Sequence, residues 1–180
     1  LCHAIEAASC LQRNPVSDAF AEKAMGLVMQ NLPAAVENGQ NKAARLAMAN
    51  ASLLAGAAFS NSMVGLVHAI GHALGGVCRV AHGDAMTILL PAVMEFNLPV
   101  CGTRYGELLL ALAGPEEYAA TPAPDRAAAA IGTVDAFCLH FVQQHFAALD
   151  VPPDFETAEE SDLTRIEQET LADVLEEAYQ

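Results

Sequence analysis

The chain has 180 residues, 53% of them apolar, and sets 22 Asp and Glu against 8 Lys and Arg for a formal charge of −14. So acidic a surface repels phosphate backbones, which argues against nucleic acid as a partner, and so apolar a composition argues against disorder. Frequent alanine with few β-branched and aromatic residues favours helices over sheets.

In chain order, a first helix is already under way at Leu1 and runs to about Arg13, where Asn14-Pro15 ends it. With no cap and no initiator Met before it, the chain is expected to be a fragment of a longer protein. Ser17 caps a helix to about Leu32, and Pro33 with Asn38-Gly39 marks the next break. Asn41 caps a helix through about Phe59. Ser60 or Ser62 caps another from Met63 to Leu74, with Gly75-Gly76 as its left-handed stop. A loop leads to His82. A helix over Asp84 to Phe96 carries Pro91 as a kink, and a separate one covers Arg104 to Ala113. A long helix spans Pro124 to Leu149. An acidic helix or pair of helices fills Glu156 to Tyr179, its charge read as a solvated face. No alternating apolar run with hairpin turns appears. The expected fold class is all-α, a multi-helix bundle-like domain over residues 1–180, with Met25, Met29, Met48, Met63, Met86 and Met94 lining its core.

Five cysteines (Cys2, Cys10, Cys78, Cys101 and Cys138) are widely spaced, odd in number and form no C-x-x-C. Reduced thiols in a cytoplasmic protein fit that pattern, with Cys78 read as a small apolar filler. No signal peptide is visible. The stretch Met63 to Ala81 has the length of a membrane span but holds two histidines, an arginine and four glycines, so a core helix is expected and no membrane partner.

Six histidines carry the chemistry: His3, His68, His72, His82, His140 and His145. His68 and His72 are one helical turn apart and project from one face, a spacing suited to a shared metal. Ala69 stands where a metalloprotease H-E-x-x-H needs glutamate, so that chemistry is excluded. His140 and His145, among Phe137, Phe141 and Phe146, are read as packing or surface residues. No G-x-G-x-x-G phosphate loop occurs.

The stretch Gly65 to Ala85, with His68, Gly71-His72, Gly75-Gly76, His82-Gly83 and the following Leu89-Leu90-Pro91, resembles the second signature of the iron-containing alcohol dehydrogenases. Leu1-Cys2-His3-Ala4-Ile5-Glu6-Ala7 resembles that family's D-A-L-x-H-A-I-E-A helix, entered after its aspartate. The likeness is strong to about residue 110 and fades beyond Thr121. It implies that His3, His68 and His82 bind Fe²⁺, or alternatively Zn²⁺, with an aspartate that lies upstream of Leu1, and that His72 is a catalytic residue beside the ion. It further implies a small alcohol or aldehyde as substrate, hydride transfer to NAD or NADP, an α/β dinucleotide-binding domain missing from this chain that holds the cofactor, and a homo-oligomer. Glycerol dehydrogenases share the fold, but the fourteen-residue step from His68 to His82 resembles the iron group more closely. The rival from another class is a non-enzymatic helical metal-binding or oligomerisation module.

Overall fold

The computed structural model describes residues 1–145, and the expected acidic helix over Glu156 to Tyr179 lies outside them. Among the described residues the regular structure is helical throughout: α1 (Cys2–Ser9), α2 (Pro15–Glu37), α3 (Lys42–Ser60), α4 (Leu66–Cys78), α5 (His82–Ala113), α6 (Pro115–Ala120), a 3₁₀ turn (Ala123–Asp125) and α7 (Arg126–His145). The chain divides into two compact units, Leu1–Phe141 and Val142–Gln180, and helices α1 to α6 lie wholly within the first.

Eight residues are too few for a helix to persist alone in water, so α1 depends on its surroundings. Those are supplied by α2, α3 and α5, which pack around it and leave Ala4, Ile5, Ala7 and Ala8 at most 1% exposed. The alanines let the neighbouring helices approach closely. Helices α2 and α3 form the most extensive pair in the unit.

Several boundaries differ from those the sequence predicts. Helix α1 stops at Ser9, not Arg13. Asn14, not Ser17, caps α2: its side chain accepts from the Val16 and Ser17 amides at 3.1 Å each, and Ser17 Oγ accepts from the Asn14 amide at 2.9 Å. Pro15 takes the first helical position, where an amide has no helical partner to lose. Pro33 does not break α2, which continues to Glu37. Asn41 caps α3 as predicted, its side chain accepting from the Ala44 amide at 3.1 Å.

The helix predicted over Met63 to Leu74 begins instead at Leu66 behind a Gly65 cap and passes straight through Gly75-Gly76. Its stop is Arg79, in the left-handed region at φ 56°. The two helices predicted over Asp84 to Phe96 and Arg104 to Ala113 are one continuous helix, α5, containing both Pro91 and Pro99. An interior proline costs roughly 3 kcal/mol. Leu90, Val93 and Met94 near one end and Tyr105, Leu108, Leu109 and Leu112 near the other are buried, each contributing about 1.5–3 kcal/mol, so packing outweighs the prolines. Helix α5 is long and apolar enough to span a bilayer by length and composition. Here its inward face belongs to the core around α1.

Met25, Met86 and Met94 are buried as expected, whereas Met63 is 59% exposed at the strained turn before α4, with φ 84°. Cys78 is exposed at the end of α4 and fills no core space.

Candidate metal centre

Three elements bring the histidines together. Helix α1 supplies His3 and, one turn on, Glu6. Helix α4 supplies His68 and His72, and His82 is the first residue of α5. Between α4 and α5 the left-handed Arg79 reverses the chain, and Gly71 lets the two helices close: a Cβ there would fall 1.9 Å from Met86 Cε. This reversal returns His82 to within 5.5 Å of His68 and 6.3 Å of His3, measured between ring centroids, while His3 and His68 are 4.2 Å apart.

One ligand atom from each of His3, His68 and His82 lies within 4.8 Å of the others. His72 sits 5.5 Å from His68, edge-on, and 5.3 Å from His82, and is not in that triplet. His68 is 2% exposed. Its Nδ1 bonds Glu6 Oε2, and its Nε2 is buried with no hydrogen-bond partner. A buried polar atom without a partner costs about 1–3 kcal/mol and calls for a ligand. His3 is half-buried and stacks on Phe59 of α3 at 4.6 Å and 22°. Burial, reinforced by the neighbouring His68, pulls its pKa down to about 4, so its imidazole is neutral at physiological pH, the form a metal requires. His72 and His82 are exposed.

Imidazole nitrogens suit divalent iron or zinc, and three histidines with ligand atoms this close, one of them the buried His68, fit such an ion. Glu6 is the carboxylate beside His68, and sequence reasoning assigned it no role. Its one signal was position, three residues after His3 on the same helical face. Phe59 was likewise missed. His140 is exposed on α7, and the side chain of His145 lies outside the described residues.

A cavity of about 310 Å³ borders His3 and His82 and is otherwise largely apolar, walled by Val28, Leu32, Met86 and Leu90. A larger one, about 510 Å³, touches Glu6, Cys10, Met63 and Tyr105 but none of the histidines. The smaller is the better candidate for a substrate, because chemistry needs the reacting groups and not volume alone.

Comparison with known proteins points the same way. The profile described as Fe-containing alcohol dehydrogenase family, C-terminal, matches residues 1–174. Long-chain-alcohol dehydrogenase 1 of Geobacillus thermodenitrificans is 42% identical over 118 residues, covering 66% of this chain and 30% of that protein. The NAD-dependent methanol dehydrogenase of Bacillus methanolicus is 45% identical over 108 residues, covering 60% of this chain and 28% of that protein. The crystal structure of a 1,3-propanediol oxidoreductase superposes with a TM-score of 0.74 at 38% identity, covering 84% of this chain and 39% of that one. The chain thus spans about three tenths of the length of the curated relatives it matches.

Proposed function

Because the chain belongs to the Fe-containing alcohol dehydrogenase family, we propose that it is the catalytic-metal domain of an NAD(P)-dependent alcohol dehydrogenase. It would interconvert a small alcohol and its aldehyde or ketone, with His3, His68 and His82 as metal ligands. The observation that carries this reading is the gathering of three imidazoles with a ligand atom of each within 4.8 Å of the others, and the buried Nε2 of His68 without a hydrogen-bond partner. A divalent iron or zinc ion held there would supply Lewis acidity toward the alcohol oxygen.

The residues of this chain have separable tasks. His3 and His68 offer ring nitrogens from the buried side, and His82 offers one from the exposed side. Phe59, stacked on His3, and the apolar wall of the adjoining cavity exclude water from the carbon that gives up hydride. His72 lies outside the ligand triplet and open to solvent, where its ring nitrogen accepts the alcohol proton and passes it to water. The balance is an alcohol and oxidised nicotinamide giving a carbonyl, reduced nicotinamide and one proton. The nicotinamide is assigned to a dinucleotide-binding domain outside this chain, in keeping with the share of the relatives that the chain covers.

The test is titration of the 180-residue chain with Fe²⁺, Zn²⁺ or Co²⁺, and separately with NAD⁺. One metal site of modest affinity, lost in His68→Ala, is expected, with no specific NAD⁺ binding and no alcohol oxidation by the chain alone. Robust turnover by the isolated chain would overturn the assignment of the nicotinamide to another domain. Absence of any metal site would overturn the assignment of the histidines.

A further inference from the structure

We propose that Glu6 is a positioning residue that selects the tautomer of His68 and aims its Nε2 into the histidine cluster. The inference rests on the metal-site reading above and adds to it a residue that does not itself ligate. Helix α4 begins at a Gly65 cap whose lack of a side chain leaves the first amides without a local acceptor. Glu6 supplies one from another helix: the Val67 amide donates to its Oε1 at 2.7 Å. The other oxygen, Oε2, accepts from Nδ1 of His68. One buried carboxylate, 5% exposed, therefore holds the start of α4 and the ring it carries.

The chemistry of that pair has a direction. A carboxylate only accepts, so Nδ1 of His68 carries the hydrogen, and in the neutral ring that leaves Nε2 to present its lone pair. That lone pair is the buried, unpartnered atom at the cluster. A histidine whose second nitrogen donates to a carboxylate is fixed in rotation and made a stronger electron donor. Gly65 contributes by its smallness: a Cβ there would come within 3.0 Å of Glu6 Oε1. The helix dipole adds to the preference for a negative group at the start of α4.

A rival arrangement uses the same atoms. Cys2, Glu6 and His68 also bring ligand atoms within 4.8 Å of one another and could form a metal site of their own. It is disfavoured because both Glu6 oxygens already accept from N–H groups, and because a metal on that side would displace the hydrogen from Nδ1.

The experiment uses the full chain and two readouts. In the metal-free wild type, long-range proton–nitrogen correlation spectra should show His68 protonated at Nδ1. A ring protonated at Nε2 would overturn the proposal. Titration with Co²⁺, followed by its visible absorption, should show Glu6→Gln binding about 10–100-fold more weakly than wild type, with the difference referred to the folded fraction measured by circular dichroism. In that variant the amide can accept from Val67 or from His68 but not from both. Glu6→Asp, which keeps the charge on a shorter arm, should recover part of the loss. Equal cobalt affinity in wild type and Glu6→Gln overturns this inference alone. No cobalt binding by wild type overturns the metal reading and the inference with it. A near-ultraviolet thiolate-to-cobalt band abolished by Cys2→Ser would show the metal on the rival side, and would also overturn it.

Discussion

Helix α1 and the corner between α4 and α5 both contribute histidines to one cluster, but they are packed in opposite ways. In α1 every residue from Ala4 to Ala8 is buried. Around the corner, His72, Val77, Cys78, Arg79 and His82 are exposed, Val77 at 70%. His68 marks the change: it belongs to the exposed helix but points into the buried wall. The difference separates two requirements of such a site. On the proposed reading, the buried side fixes the geometry of the ligands, and the side facing solvent leaves the access that a substrate and a proton would need.

The contrast breaks most readily at His68. Its replacement by Ala should weaken metal binding by more than about 100-fold, because it removes a pre-oriented nitrogen that water cannot reproduce in a buried site. His82→Ala should cost roughly ten times less affinity, since solvent can take the open position. Equal losses, measured by competition with a coloured chelator, would erase the distinction between the walls.

His72→Ala sharpens the exposed side. In an enzyme containing this domain and its dinucleotide-binding partner, turnover should fall by about 10²–10⁴-fold, the usual worth of a positioned proton carrier. Metal content, read by elemental analysis, should stay unchanged. Loss of metal would make His72 a ligand instead.

Stability should divide in the same way. Ile5→Ala, at a residue 1% exposed, should cost about 2–5 kcal/mol through the cavity it leaves. Val77→Ala, in the exposed corner, should stay within about 0.5 kcal/mol. Urea midpoints decide, and a large loss at Val77 would show that the corner is packed more firmly than its exposure indicates.

The buried and exposed sides should also differ in how pH acts on the metal-free chain. Burial holds His3 at about 4, below the ordinary histidine value near 6.5. Between those values the unfolded chain binds more protons than the folded one, so stability rises with pH. The contribution of His3 is therefore present above about 6.5 and is lost as pH falls toward 4. His3→Gln should flatten that part of the profile in urea titrations at successive pH values; an unchanged slope would assign it to other groups.

How legible the molecule was depended on the range of the interactions. The all-helical class, the Asn41 cap and the four histidines of the cluster could be read from local spacing or from the signature around them. The interior prolines could not. Pro33 and Pro99 are exposed on their helices, where water can satisfy the freed carbonyls, and for α5 the deciding term is burial on either side of the prolines, which local propensity does not contain. Gly75-Gly76 resembled a stop, but the left-handed residue is Arg79, a conformation uncommon outside glycine and invisible in composition. Glu6 was legible as part of a motif and not as a partner, because the groups that donate to it lie far along the chain.

That separation bears on how the domain assembles. The Glu6 bonds to Val67 and His68 close loops of 61 and 62 residues, whereas α2 and α3 meet across a four-residue turn. The closure entropy of the longer loops must be met before they return any contact energy, so the α2–α3 hairpin is expected to form early and the carboxylate–imidazole pair late. Pulse-labelled hydrogen exchange would report the order, with the Val67 amide protected after those within α2 and α3; simultaneous protection would mean a single concerted collapse. On this ordering a chain trapped partway would already hold most of its helices while the histidines of α1 and α4 were still unacquainted, so that uptake of the proposed metal would report on the last step of folding.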